Sequence, residues 1–196
     1  MRGRVLLGVV MLVVAARSAA AQEAGDVGVT MGYPGALGVV WHVTDAVAVR
    51  PDIALTRSTS ESTTSATGAF AGSGLSSTST SDGWGTTVGV SVLVNVRTIE
   101  RLRLYLAPRL AYARSTTDNE TGLSGALTGF TAKTTGVLAS GSFGSQYSLH
   151  DRFAVFGELG LQYTTQTTTS DFPGSSTEAD GTTFGLRSAV GVTFYF

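Results

Sequence analysis

Apolar and polar residues alternate along most of the chain, a period of two that predicts strands and leaves little room for helices. Residues 182 to 196 set Phe184, Leu186, Val190, Val192, Phe194 and Phe196 on one face, against Gly185, Arg187, Ala189, Gly191, Thr193 and Tyr195 on the other. Residues 153 to 165 repeat this, with Phe153, Val155, Leu159, Leu161 and Tyr163 opposite Ala154, Glu158, Gly160, Gln162 and Thr164. Residues 84 to 96 place Val88, Val90, Val92, Val94 and Val96 opposite Gly85, Gly89, Ser91 and Asn95. The same rule predicts strands over 46–57, 102–114, 134–149 and 36–43, and residues 27–33, turned by Pro34-Gly35, supply an eighth. Short charged turns at Thr44-Asp45, Arg97 to Arg101 and His150-Asp151 alternate with long Ser/Thr/Gly segments at 58–83, 116–131 and 170–180, which are expected as loops. In an up-and-down meander this gives one rim of tight turns and one of long loops, the asymmetry of barrels that cross a membrane.

A half-buried soluble sheet alternates too, so the polar face has to decide between the two. Here it carries Gly, Ala and Ser with a few ions, and the chain has one Lys, Lys133, which suits a crowded lumen better than a watered surface. Phe153 to Tyr163 and Phe184 to Phe194 each span ten residues. At about 3.3 Å per residue and a tilt of roughly 40°, that interval projects to about 25 Å, the height of an apolar band between aromatic girdles. Tyr33, Trp84, Tyr112, Tyr163 and Phe184 are expected at the long-loop rim, and Trp41, Phe143, Tyr147, Phe153, Phe194 and Phe196 at the other. The fold class predicted is therefore all-β: a closed antiparallel up-and-down transmembrane β-barrel of eight strands, closed because hydrocarbon leaves an open edge unsatisfied.

Composition narrows the setting. Residues 1–21 pair Arg2 and Arg4 with an apolar stretch from Val5 to Ala16 and small residues at Ala19 and Ala21, the form of a secretory signal peptide. That leaves 22–196 as the barrel domain, with ten basic and fourteen acidic residues and a net charge of −4. Cys is absent, so no disulfide framework or lipidated cysteine is expected after export. Ser and Thr make up 49 of 196 residues and charged residues only 14%, with no Lys/Arg cluster, so nucleic acid is not an expected partner.

The terminal VGVTFYF, with Val190, Val192, Phe194 and Phe196 at alternate positions, resembles the C-terminal assembly signal of bacterial outer-membrane barrels. The turn and strand HDRFAVFGELGLQY is similar to the penultimate strand of the small eight-stranded outer-membrane barrels, the group that includes OmpX and the membrane domain of OmpA. The first hairpin is shorter than in that group. The resemblance implies location in the bacterial outer membrane, outer-membrane lipid and lipopolysaccharide as neighbours, and periplasmic chaperones and the barrel assembly machinery as partners of a monomer.

Inward positions include Arg50, Asp52, Arg103, Arg109, Glu158 and Arg187. Buried charges persist when paired and hydrogen-bonded. The expected pairs are Glu158 with Arg187 or Arg109, and Asp52 with Arg50 or Arg103. Such a network either plugs the lumen, since eight strands leave room for little but side chains, or lines an ion or proton path. His42 and His150 are the only histidines. His150 falls in a short turn and His42 faces inward near the same rim, far from where a lipid-modifying barrel would need its base, so no catalytic residue is assigned. Gly122 to Gly129 lacks the Lys and helix of a phosphate loop, and no His/Asp/Glu spacing suggests a metal; neither cofactor nor metal is expected. The low-complexity segment 58–83 is either a surface linker or a contact element. A non-enzymatic structural or surface-interaction barrel is the function expected, with a narrow channel or hydrophobic-ligand conduit as the alternative and a soluble exported barrel as a third reading.

Overall fold

The computed structural model describes residues 24–66, 75–123 and 126–196. The signal peptide expected over 1–21 lies outside them. The described residues form eight strands: β1 (Val27–Tyr33), β2 (Ala36–Thr44), β3 (Val47–Ala66), β4 (Leu75–Ile99), β5 (Leu102–Leu123), β6 (Ala126–His150), β7 (Phe153–Phe172) and β8 (Ser175–Tyr195). Each pairs antiparallel with its sequence neighbour, and β8 returns to β1 through Gly28↔Tyr195 to Tyr33↔Val190, closing the barrel.

Side-chain direction follows the alternation. Leu186, Phe184, Leu159, Val88 and Leu110 are among many large apolar residues exposed on the outside, while Arg50, Asp52, Arg103 and Glu158 are buried. A soluble barrel would invert that distribution. Phe153 stands opposite Phe194 with ring centroids 4.9 Å apart, and Tyr163 opposite Phe184, so the two ends of the ten-residue interval are in register on neighbouring strands. Phe143, expected at the short-turn rim, faces Leu159 in the middle of the band. Tyr33, expected at the long-loop rim, pairs with Val190, four residues above Phe194 and six below Phe184. The β1–β2 hairpin therefore ends partway up the wall.

The turns explain the asymmetry. At the short-turn rim Thr44 Oγ1 accepts from the N–H groups of Ala46 and Val47 at 3.2 and 3.0 Å, and Glu100 takes a positive φ of 51°. Register shifts at His42/Thr44, Asn95/Arg97 and Ser148/His150 lie at the same rim, where bulges commonly end pairing in barrels.

The described residues of 58–83, 116–131 and 170–180 are not free loops. They continue the ladders: β3 and β4 pair out to Ala66↔Leu75, β5 and β6 to Leu123↔Ala126, and β7 and β8 to Phe172↔Ser175. Their composition suggests linkers, but Thr is β-branched and fits a pleated strand, and hydroxyls and ions bridge the strands. Thr134 and Thr168 share a hydrogen bond of 2.9 Å, Thr167 donates to Asp180 at 2.7 Å, and Lys133 reaches Asp171 at 3.1 Å. The hydrogen bond from Lys133, helped by one from Ser176, holds the Asp171 carboxyl below its ordinary value. Pro173-Gly174, with Gly174 at φ 85°, makes the tight reversal that lets β7 and β8 stay paired to the tip.

Two outcomes are expected. Leu159→Arg, in the middle of the outer band, should cost about 2–4 kcal/mol in urea titrations of liposome-folded protein, while Thr177→Arg in the projecting ladder should stay within about 0.5 kcal/mol. Because its folded pKa is depressed, Asp171 should favour the β6–β7–β8 tip above about pH 4, an effect lost as pH falls through the lower folded value; carboxyl NMR titration follows it.

Candidate functional site

The alternation sends every second side chain of eight strands into one narrow lumen, and those of β3, β5, β7 and β8 carry the ions. Glu158, on β7, is fully buried at its carboxylate. It accepts from Arg50 Nη2 at 2.6 Å, Arg187 Nη1 at 2.9 Å and Tyr105 Oη at 3.0 Å. Arg187 also donates to Ser142 Oγ at 3.1 Å, and the Arg50 guanidinium lies 5.2 Å from the centre of the Phe156 ring. Asp52 accepts from Arg109 Nε at 3.0 Å and from Arg109 Nη2, a two-point pair. The expected partner of Glu158, Arg187, is thus in place. The pairs expected for Asp52 are not: Arg50 crosses to Glu158, and Arg103 lies lower in the lumen. Sequence parity assigns a residue to the inside but carries no information on the angle around the ring, which depends on register.

Below this network a second layer fills the lumen near the short-turn rim. Arg103 Nη1 lies 3.3 Å from His42 Nδ1, His42 Nε2 lies 3.4 Å from Tyr195 Oη, and Gln146 Nε2 donates to the same Oη at 2.9 Å. A guanidinium can only donate, so Nδ1 accepts and the ring proton of neutral His42 sits on Nε2, directed at Tyr195. This histidine holds a polar stack together through Arg103 and Tyr195. The cavity left among His42, Arg103, Tyr105 and Gln146 is only ≈ 10 Å³. Higher up the lumen opens into cavities of ≈ 250 Å³ beside Arg109 and Arg187 and ≈ 360 Å³ among Thr86, Gln162, Thr164 and Gln166. His150, expected in a turn, is exposed at the end of β6. Among the described residues no group of three or more His, Cys, Asp or Glu side chains is placed to hold a metal.

The small inward residues are what make this packing fit. A Cβ on Gly89 would stand 2.5 Å from Arg109 Nη2 and 2.8 Å from its Cζ, and one on Gly144 would enter the Tyr105 ring. Tyr105, Phe156 and Gln146 are not among the inward residues expected from the sequence. Parity could have found them, since Tyr105 shares the face of Arg103 and Arg109, and Phe156 that of Glu158.

No protein-family model and no curated protein matches the sequence. Among solved structures, a major outer membrane protein of Thermus thermophilus is similar over 87% of this chain and 98% of that one, at 14% identity and a TM-score of 0.52. The chain folds as an outer-membrane β-barrel. CarO of Acinetobacter baumannii aligns with the barrel over 88% of this chain and 97% of its own, at 16% identity and a TM-score of 0.44. Ail, the attachment invasion locus protein of Yersinia pestis, aligns over 87% and 94%, at 12% identity and 0.40. The barrel's outward band is made of exposed apolar side chains, the face a bilayer would cover, and its terminal Val190, Phe194 and Phe196 lie exposed in that band.

Removing the shared acceptor should be costly: Glu158→Ala strands Arg50 and Arg187 in the lumen and is expected to lose about 3–5 kcal/mol of folding stability, read by urea unfolding from liposomes. Gly89→Val should lose about 1–3 kcal/mol by overpacking against Arg109, without altering the outer band.

Proposed function

We propose that this barrel is a non-enzymatic structural or surface-interaction protein whose lumen is plugged by its own side chains. The observation that carries this is Glu158 held by two arginines and a tyrosine above the His42, Arg103, Gln146 and Tyr195 layer. Together they cross the lumen with side chains that are themselves hydrogen-bonded. A conducting pore of eight strands would need a continuous wet path, and the lower layer leaves space for about one water. The His42 ring is engaged by Tyr195 and Arg103 at the rim opposite the projecting ladders, which favours a structural role for it over that of a base. The projecting β3–β4, β5–β6 and β7–β8 ladders, rich in Ser and Thr, offer an extended hydroxylated surface for contact beyond the membrane. Val190, Val192, Phe194 and Phe196 serve as the recognition strip for the assembly machinery after chaperone-guided transit of the periplasm. Lipopolysaccharide surrounds the finished monomer.

Planar-bilayer recordings test the plug. The native barrel should hold a closed baseline and Glu158→Ala should show intermittent openings; steady conductance of the native protein would replace this reading with a channel.

A further inference from the structure

The wall of this barrel is not of even height. β8 pairs with β1 only up to Val190↔Tyr33, and β3 pairs with β2 only up to Ala36↔Ala54. Above those points, among the described residues, no strand pairs with β8 from Ser175 to Ala189 or with β3 from Leu55 to Ala66 on the sides that face each other across the hairpin tip. The outer aromatic rim is at Phe184 on β8, six residues above Val190. Six residues at about 3.3 Å each and a tilt of roughly 40° put the Tyr33-Pro34-Gly35 tip about 15 Å below that rim, inside the apolar band. The gap is about two strand spacings wide, about 10 Å. Alternate residues of each edge direct N–H and C=O groups into the gap, so a molecule seated there has to bring a polar group as well as a chain.

The cavity of ≈ 250 Å³ lies at this notch. Its lining runs from Arg109 and Arg187 in the lumen to Ser188 on the outer side of β8 and to Tyr33 and Pro34 at the tip, with Ala54, Ala189 and Phe156 as apolar walls. Three arginines, Arg50, Arg109 and Arg187, converge here on two carboxylates, Asp52 and Glu158. One positive charge is left over at the floor of a site whose lining reaches Ser188 on the outward side of β8. Arg187 is the most accessible of the three, with 18% of its side chain exposed against 7% and 9% for Arg50 and Arg109.

We propose that this lateral notch binds a single-chain anionic amphiphile of the fatty-acid class from the outer leaflet. Its carboxylate accepts from Arg187 and meets the surplus charge, while its chain runs out between the β3 and β8 edges past Ala54, Ala189 and Tyr33. The notch shares Arg187 with the Glu158 network but lies above the layer of His42, Arg103, Gln146 and Tyr195, so this binding does not depend on whether the lower lumen conducts.

The test uses the full barrel refolded in nanodiscs, with folding of every variant checked by heat-modifiable migration. A fluorophore-tagged fatty acid and its methyl ester are the probes. The acid should bind saturably and at least about tenfold more tightly than the ester, a difference of about 1.4 kcal/mol. Arg187→Gln should remove that preference while leaving the ester unchanged. Ala189→Trp, or Ala54→Phe if the first does not fold, should abolish saturable binding by filling the cavity, and Lys133→Gln should bind as the parent does. Equal partition of acid and ester, or parent-like binding by Arg187→Gln and the cavity-filling variant, would overturn the proposal. Displacement of the acid by inorganic phosphate at equal concentration would also overturn it, since the site would then take a free anion and not an amphiphile.

Discussion

Hydrocarbon offers a backbone N–H no acceptor, so a strand that enters a bilayer has to find both of its neighbours within the protein. In this chain that requirement is met, up to the tip of the first hairpin, by the return of β8 to β1, through only six registered pairs, Gly28↔Tyr195 to Tyr33↔Val190. Every other feature follows from where that seam sits. It joins the shortest strand to the last one, so the wall is complete at the short-turn end and incomplete above the first hairpin. The long ladders beyond the membrane are free of the constraint, because water can satisfy their edges, and they extend as paired strands for as far as their Thr-rich sequences and the Pro173-Gly174 reversal allow.

Closing the ring creates the second problem, a narrow interior lined by side chains from every strand. Glycine and alanine answer it by leaving space into which a neighbour's long side chain lies flat: Gly89 beneath Arg109, Gly144 beneath Tyr105. The ions then order themselves by shared partners. Glu158 gathers Arg50, Arg187 and Tyr105 from three other strands, so one carboxylate ties four strands across the lumen. Such a tie stabilises less than its Coulomb energy suggests, since each ion was desolvated to reach it. It specifies one arrangement of strands around the ring, because a register slip of one residue in any of the four would turn that strand's member of the network to lipid.

The same geometry separates the two ends of the molecule chemically. The short-turn end is filled by neutral and singly charged hydrogen-bonding side chains stacked as His42, Tyr195, Gln146 and Arg103. The outer half holds more arginine than carboxylate and more space. A positive, partly open chamber beside an incomplete wall is a consequence of strand length alone, since β1 with 7 residues and β2 with 9 stand next to strands of 20 and 21.

The pattern of alternation by itself determined the strand count, the antiparallel order, which faces meet lipid, and the six ions that point inward, because each of these depends only on a period of two and on turn chemistry local in sequence. It also implied the Pro34-Gly35 reversal. It misplaces the Ser/Thr segments as loops, since low hydrophobicity reads as absence of pairing although hydroxyls bridge strands well in water. Tertiary structure alone decided that Arg109 rather than Arg50 or Arg103 meets Asp52, that Tyr33 stops at mid-wall, and that Tyr105 and Phe156 complete the network. Those outcomes depend on register and shear, which set height and angle around the ring, and a one-dimensional pattern holds no coordinate for either.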